Sequence, residues 1–225
     1  MNLFNKLKRA FVFCKYANRS FSQEGEDQLL DRILEEKPRG FYIDIGAHHP
    51  IRFSNTYKFY LRGWSGINID AMPGSMAAFN NIRPRDINIE VPVSDKKQKL
   101  TYYIFNEPAL NTFSLKEATS KDGLYGYKIV EKVELETDTL ASILKNNIIN
   151  NQEIDFMSID VEGLDIQVLY SNDWNLYKPK LILIEELLSG FDLTQHNSNV
   201  NQFLIEKGYV LFARTVNTSF YKLNF

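Results

Sequence analysis

A short apolar run bounded by two glycines, at residues 40–50, constrains the fold of this chain more than any other stretch. It reads Gly-Phe-Tyr-Ile-Asp-Ile-Gly-Ala-His-His-Pro, with one acid, Asp44, inside Phe41–Ile45. An apolar run of this length between Gly40 and Gly46 predicts a buried strand rather than a helix. The second glycine lets the backbone turn sharply and approach a ligand closely. Because ligands of open α/β sheets bind beyond the carboxyl ends of the strands, Asp44 and the turn after it are predicted to face a cofactor.

Length and composition are those of an ordinary globular protein. The 225 residues, 44% hydrophobic and 24% charged, are enough for one well-packed domain and short for two. A formal net charge of −2 gives no indication of a basic face, so no nucleic-acid partner is expected. The single cysteine, Cys14, excludes an internal disulfide. No apolar run has the length of a membrane span, and lysines interrupt residues 1–16, so a cytoplasmic protein is predicted.

Residues 1–20 are predicted to form an N-terminal amphipathic helix ahead of a single domain at 21–225. Leu3, Leu7 and Phe11 fall near one helical face, with basic residues largely elsewhere. The helix is either a lid or membrane-surface anchor, or it packs on its own domain or on a partner subunit. Basic amphipathic helices are common on soluble proteins, which favours a helix that packs on its own domain or on a partner subunit. A homo-oligomer is therefore an open alternative.

Strand-like and helix-like runs alternate along most of the domain. After the first strand, further parallel strands are predicted at 66–70, 87–91, 155–160 and 180–186. The helices between them require right-handed crossovers, which predicts an α/β fold with a mostly parallel central sheet and helices on both faces. Residues 208–214 and 218–223 predict a terminal strand pair, the second strand antiparallel. Residues 100–105 predict an edge strand, and residues 128–136 predict a half-exposed strand.

Acidic residues stand at the ends of the predicted parallel strands. They are Asp44, Asp70, Asp160 and the pair Glu185-Glu186, with Ser94-Asp95 after the third strand. The carboxyl ends of parallel strands share one sheet edge, and negative charge concentrated there is costly without a cation. The pattern therefore predicts a cationic cofactor or a divalent metal, with a solvated acidic edge as the alternative.

The glycine content of the first turn separates two cofactors. A nicotinamide dinucleotide needs a pyrophosphate site, usually Gly-x-Gly-x-x-Gly, whereas only Gly46 is present here. Asp70 lies about twenty residues farther on, where nucleoside-binding folds place a carboxylate for ribose hydroxyls. S-adenosylmethionine has no phosphate and carries two cationic groups. The sequence therefore favours S-adenosylmethionine, with a nicotinamide-dependent oxidoreductase as the rival function.

A series of short stretches carries a family resemblance: 21–27, 40–50, Ser54-Asn55-Thr56, 63–70, 83–88, 109–114, 154–163, 171–174 and 178–180. In these stretches the chain resembles the FkbM-type S-adenosylmethionine-dependent methyltransferases, over nearly all of its length beyond the N-terminal helix. The resemblance implies a Rossmann-like class I methyltransferase fold and methylation of a hydroxyl, often on a sugar or a nucleotide-linked sugar. Members commonly have Glu-Pro where this chain has Asp70-Ala71, and a small residue where it has Pro92.

The resemblance also implies a set of cofactor-binding residues. The set is Gln23, Asp44, Gly46, Ala47, His48, Asn55, Asp70, Ser94, Asp95 and Asp160. Within it, residues 44–48 would line the methionine end, Asp70 would hold the ribose, and residues 93–95 would flank the adenine. A non-catalytic cofactor-binding subunit is the non-enzymatic alternative.

An alcohol is a poor nucleophile, so the acceptor hydroxyl needs a base or a metal. His48, His49 and Glu162 are the candidate bases, although one histidine of the pair could instead only hydrogen-bond the loop. Asp160 is the fourth candidate catalytic residue. With Glu185 and Glu186 it matches the positions at which metal-dependent methyltransferases of this fold bind magnesium, and oxygen-only ligands suit Mg²⁺ or Mn²⁺.

Overall fold

The computed structural model describes residues 17–35, 37–149, 152–186 and 198–224. The helix predicted at residues 1–20 therefore falls mostly outside the described residues. Within the four described ranges, no helix is long and apolar enough to cross a membrane.

Strands make up the centre of the molecule. They are β1 (Phe41–Ile45), β2 (Ser65–Asp70), β3 (Ile87–Glu90), β4 (Lys99–Phe105), β5 (Ile129–Glu136), β6 (Phe156–Ile159), β7 (Leu181–Glu185), β8 (Tyr209–Arg214) and β9 (Thr218–Leu223). Each lies within two residues of its predicted bounds.

Seven of these strands form one sheet in the order β3-β2-β1-β6-β7-β9-β8. β1 pairs in parallel with β2 and β6, β2 pairs with β3, and β6 pairs with β7. β9 is antiparallel to both β7 and β8. These pairings confirm the predicted mostly parallel sheet with an antiparallel terminal strand. The strand order reverses between β1 and β6, which is the position where sheets of this kind bind ligands.

Helices cover both faces of the sheet, as predicted. They are α1 (Glu26–Ile33), α2 (Tyr57–Arg62), α3 (Met76–Ile82), α4 (Leu115–Lys121), α5 (Leu140–Asn147), α6 (Asp165–Tyr170) and α7 (Asn199–Glu206). Successive side chains of β1 point to opposite faces. Ile43 and Ile45 belong to a core with residues of α5, α6 and α7, whereas Tyr42 belongs to a core with Leu30 of α1 and Phe59 of α2.

β4 and β5 form a separate two-stranded antiparallel sheet. The sequence predicted both strands but did not identify them as partners outside the central sheet. Tyr103 and Phe105 of β4 pack with Ala118 of α4 in a small hydrophobic cluster of their own. This cluster stabilises the pair independently of the main core. The connection between the two strands includes a 3₁₀ turn, Pro108–Leu110, and α4.

Candidate active site

A cavity of about 400 Å³ opens at the carboxyl ends of β1, β2, β6 and β7. Asp44 of β1 is in register with Asn68 of β2 and with Ser158 of β6. The parallel pairing therefore brings the ends of these strands to one edge, where Asp44, Asp70 and Asp160 all line the cavity. The convergence expected from the sequence is present.

Most of the residues selected from the sequence lie in the cavity wall. They are Gln23, Asp44, Gly46, Ala47, His48, Asn55, Asp70, Asp160, Glu162 and Glu185. Four selected residues are not among the lining residues: His49, Ser94, Asp95 and Glu186. The wall also includes residues that the sequence analysis missed, among them Glu24, Tyr102, Asn217 and Thr218.

Gly46 brings the turn after β1 into direct contact with the end of β6. Its φ is +80°, and a Cβ atom there would lie 1.7 Å from the carbonyl oxygen of Asp160. The Gly46 and Ala47 amides both donate to the Ile69 carbonyl, at 2.9 and 3.0 Å. Only glycine fits this position, because both the backbone conformation and the missing side chain are required.

Asp44 is a buried carboxylate in the cavity wall. Its Oδ2 accepts a hydrogen bond of 2.7 Å from Thr56 Oγ1. Burial raises the pKa of Asp44, while the Thr56 hydrogen bond and the positive charge of Arg83 act in the opposite direction.

Asp70 fixes the turn after β1 while also lining the cavity. Its Oδ2 accepts from the His48 amide and its Oδ1 from the Met72 amide, each at 2.8 Å. Burial raises the pKa of Asp70, and the two backbone hydrogen bonds oppose that rise. Each carboxylate oxygen has a second lone pair, so the side chain can still accept from a ligand hydroxyl.

His48 presents an unsatisfied nitrogen in the cavity wall. Its Nε2 is buried and has no hydrogen-bond partner among the described residues. The ring stacks on Phe53, with centroids 6.2 Å apart and planes at 20°. Burial, followed by the charge of Arg52, lowers the pKa of His48 below 6.5. The imidazole is therefore neutral at neutral pH and can accept a proton.

His49 has a different role. Its Nδ1 accepts hydrogen bonds from the Ile51 and Arg52 amides, both at 3.0 Å. The ring thereby caps the backbone turn and lies outside the cavity wall. For His49, the geometry agrees with the alternative considered for the pair, a histidine that only hydrogen-bonds the loop.

Three carboxylates meet on one side of the cavity. Ligand-competent oxygens of Asp160, Glu162 and Glu185 lie within 4.8 Å of one another. Asp160 is exposed to the cavity, and partial desolvation by the surrounding protein, followed by the charge of Glu185, raises its pKa well above 3.8. Burial, then Glu162, raises the pKa of Glu185 to about 8. Lys121 is the nearby cation, 3.2 Å from Glu162 Oε2.

Of the predicted metal set Asp160, Glu185 and Glu186, the third member does not lie in this cluster. Glu186 Oε1 accepts from Ser198 Oγ at 2.5 Å, and Oε2 accepts from the Tyr221 hydroxyl at 2.9 Å. Consecutive residues at the end of an extended strand point to opposite faces, so Glu185 and Glu186 diverge. Glu162 takes the third place in the cluster.

The residues predicted to flank the adenine, 93–95, lie only partly in the cavity wall. Val91, Pro92 and Val93 line the cavity, but Ser94 and Asp95 do not. The Ser94 amide donates to the Asp138 carbonyl at 3.0 Å, and Ser94 Oγ donates to Asp95 Oδ1 at 3.2 Å. Ser94 is buried and Asp95 is exposed, and neither side chain belongs to the cavity wall.

The β4–β5 sheet and the segment after β4 contribute an aromatic pair. The rings of Tyr102 and Phe113 lie 4.5 Å apart between centroids, and both line the cavity. Burial raises the pKa of Tyr102, so its hydroxyl stays protonated. The alternation of 100–105 indicated a strand, but no sequence signal indicated that it would reach this cavity.

Comparison with known proteins identifies a family. The model described as "Methyltransferase FkbM domain" matches residues 44–211 of the chain. No curated protein matches the chain.

Among solved structures, the chain is similar to the methyltransferase FkbM from Methylobacillus flagellatus, with 11% identity and a TM-score of 0.49. That match covers 82% of this chain and 44% of the other, so this chain spans less than half of the Methylobacillus protein. A Pyrococcus horikoshii protein provisionally described as an RNA methyltransferase has 10% identity and a TM-score of 0.47, with coverages of 98% and 100%. A Sulfolobus solfataricus protein provisionally described as a type 11 methyltransferase has 11% identity and a TM-score of 0.42, with coverages of 92% and 95%.

Proposed function

The chain belongs to the FkbM methyltransferase family, and from that premise we propose that it transfers a methyl group from S-adenosylmethionine to a hydroxyl of a sugar or a nucleotide-linked sugar. The observation that carries this proposal is the placing of Asp44, Gly46 and Asp70 around one cavity at the point where the strand order reverses. A close backbone approach and two carboxylates are what a cationic nucleoside cofactor requires there.

The charge of the wall supports this cofactor over a nicotinamide dinucleotide. Arg52 is the one lysine or arginine in the described part of the wall, and it is paired with Glu107 at 3.2 Å. A pyrophosphate would thus lack a free cation and the glycine-rich turn that usually binds it. The ammonium and sulfonium groups of S-adenosylmethionine would instead meet carboxylates.

We assign His48 the task of accepting the proton from the acceptor hydroxyl. His48 lines the cavity, and its buried Nε2 has no hydrogen-bond partner among the described residues. Asp70 holds the His48 amide, so the residue that would contact the ribose also fixes the position of the base. Proton removal by a positioned imidazole raises the nucleophilicity of an alcohol in the way that methyl transfer requires.

The carboxylate cluster suggests a second contribution to activation. Asp160, Glu162 and Glu185 offer oxygen ligands only, the donor set that Mg²⁺ and Mn²⁺ prefer, and all three have raised pKa values that a bound cation would lower. A divalent ion bound there would lower the pKa of an acceptor hydroxyl. Lys121 already pairs with Glu162, so the ion would have to share that carboxylate with the lysine.

The acceptor is proposed to be a carbohydrate rather than a nucleic acid. A net charge of −2 and a carboxylate-rich cavity disfavour a polyanion. Labelled S-adenosylmethionine, tested with sugars, nucleotide-sugars, RNA and DNA, should transfer label fastest to a member of the sugar panels. Faster transfer to nucleic acid would reverse the choice of acceptor. Tight binding of NAD without binding of S-adenosylhomocysteine would overturn the cofactor assignment. The cytoplasmic location and a homo-oligomer stay predictions.

A further inference from the structure

A buried series of hydrogen bonds connects an arginine beyond α3 to the cavity. Arg83 is fully buried, and its Nη1 donates to Ser54 Oγ at 3.4 Å. Ser54 Oγ lies 3.2 Å from Thr56 Oγ1, which is 2.7 Å from Asp44 Oδ2. Ser54 and Thr56 are themselves buried, so each of these polar groups depends on the others for hydrogen bonding.

The direction of these bonds follows from the number of protons available. Thr56 has one hydroxyl proton, and an ionised Asp44 can only accept it. Ser54 Oγ also accepts from the Tyr57 amide at 3.1 Å, in addition to Arg83. The proton of Ser54 is then free to point at Thr56 Oγ1. Every donor in the series is therefore directed from the guanidinium towards the Asp44 carboxylate.

Arg83 is held by its own partners. Its Nε donates to Asp86 Oδ2 and its Nη2 to the Tyr42 hydroxyl, both at 2.8 Å. Asp86 also accepts from the Gly66 amide and from Asn68 Nδ2, both at 3.0 Å, so both oxygens of this carboxylate are engaged. The guanidinium is thus fixed in place, which allows it to orient Ser54.

The series occupies only one oxygen of Asp44. Among the described residues, no donor hydrogen-bonds Asp44 Oδ1, although the residue lines the cavity. The other charged groups acting on Asp44 are Asp86 and Asp70, with Asp160 on the neighbouring strand, and all three are acids. A carboxylate in this position needs a cationic donor from a ligand, since burying it uncompensated is costly.

We propose that Thr56 is a positioning residue that, with Ser54 and Arg83, holds Asp44 so that its free oxygen pairs with the ammonium group of S-adenosylmethionine. This inference rests on the proposed function. The ammonium is the matching group because it supplies N–H donors as well as charge, whereas the sulfonium has no proton to donate. Ser54 and Thr56 thereby acquire a role beyond the turn that precedes α2.

Two nucleosides separate this role from a general effect on folding. S-adenosylhomocysteine has the ammonium group, whereas 5′-methylthioadenosine has the same adenine, ribose and thioether without the amino-acid portion. Thr56→Val keeps the side-chain shape and removes the hydroxyl. In calorimetric titrations it should weaken S-adenosylhomocysteine by about tenfold, the scale of one hydrogen bond to a charged group, and leave 5′-methylthioadenosine within about twofold. Thr56→Ser, which keeps the hydroxyl, should restore the affinity.

Two further variants complete the test. Asp44→Asn should reproduce the selective loss, and adding Thr56→Val to it should cause little further loss, because both changes remove one interaction. Thr137→Val is the matched control, since Thr137 is a buried, hydrogen-bonded threonine outside the cavity wall, and it should change neither affinity. If Thr56→Val weakens both ligands equally, or neither, the positioning role is overturned and the proposed function stands. A wild-type protein that binds neither ligand would overturn both.

Discussion

At the scale of single residues, Asp70 has a structural task and a proposed ligand-binding task, and an isosteric change can measure both. Asp70→Asn keeps the shape but replaces one of the oxygens that accept the His48 and Met72 amides. We expect S-adenosylhomocysteine to bind more weakly by about 1–3 kcal/mol in calorimetric titration, through lost ribose and loop hydrogen bonds. Asp95→Asn, which lies outside the cavity wall, should bind as the wild type does. Equal affinities for all three proteins would contradict the assignment of Asp70.

The two histidines should differ in their effects on rate and stability. Because burial lowers the pKa of His48 below 6.5, the wild-type kcat/KM should fall with decreasing pH only below 6.5, as the base becomes protonated. His48→Ala should lower kcat by roughly 10²–10⁴-fold and remove this acidic limb. His49→Ala should keep the limb and instead lower the free energy of unfolding by about 1 kcal/mol, because two amides lose their acceptor. An unchanged rate and pH profile in His48→Ala would eliminate it as the base.

The sequence indicated which chemical groups the site contains more reliably than which individual residues belong to it. Adjacent His48 and His49 are equivalent in sequence, and only the turn, which directs His49 Nδ1 to backbone amides, separates them. For Glu185 and Glu186 the strand alternation was available as a signal and would have separated the two side chains. Asp160 and Glu162 were both identified, but their closeness depends on the turn before α6.

At the scale of elements, the turn after β1 should be the least tolerant of change. Gly46→Ala would place a Cβ atom 1.7 Å from the backbone oxygen of Asp160, which cannot move without distorting β6. We expect a loss of at least about 2 kcal/mol in unfolding free energy, measured by urea denaturation, and a loss of cofactor binding. Gly74→Ala is the matched control, because Gly74 has φ +83° with no atom within 4 Å of the added carbon. It should show the cost of the conformation alone, and an equal loss in both variants would contradict the steric argument.

The central sheet was predictable because each parallel strand is a short apolar run that ends on an acid or at a turn. A helical crossover between two such strands makes them parallel, and β1, β2, β3, β6 and β7 do pair in parallel. The β4–β5 pair was predictable only as strands, since alternation reports a half-exposed surface and not the identity of the partner. Tyr102 was missed as a cavity residue for that reason.

At the scale of the whole molecule, the cavity wall is far more acidic than the net charge of the chain suggests. The chain as a whole has a net charge of −2, yet the described wall contains eight carboxylates. They are Glu24, Glu26, Asp44, Asp70, Glu107, Asp160, Glu162 and Glu185. Some are neutralised locally, as Glu107 is by Arg52 and Glu162 by Lys121. The remainder make cationic ligands the favourable occupants, and the proposal assigns Asp44 to the ammonium group and the neighbouring Asp160 cluster to a metal.

The proposed metal site depends on the tertiary structure, because its three ligands come from the end of β6, the following turn and the end of β7. If Asp160, Glu162 and Glu185 hold a divalent ion, a chelator should abolish methyl transfer, and Mg²⁺ or Mn²⁺ should restore it. Asp160→Asn should reduce kcat by about 10²-fold or more while changing the affinity for S-adenosylhomocysteine much less. Calorimetric titration with Mn²⁺ alone should detect binding to the wild type that Asp160→Asn removes.

Glu186→Gln is the matched control for this experiment, since its carboxylate is bound by Ser198 and Tyr221 and does not join the cluster. It should retain both Mn²⁺ binding and metal-dependent turnover, and it should lose some stability because the Ser198 and Tyr221 hydroxyls lose a charged acceptor. A rate that survives chelation, together with a rate that His48→Ala abolishes, would show that the imidazole activates the hydroxyl without a metal. The raised pKa of Glu185, about 8, would then describe a carboxylate that keeps its proton near neutral pH and donates a hydrogen bond within the cluster.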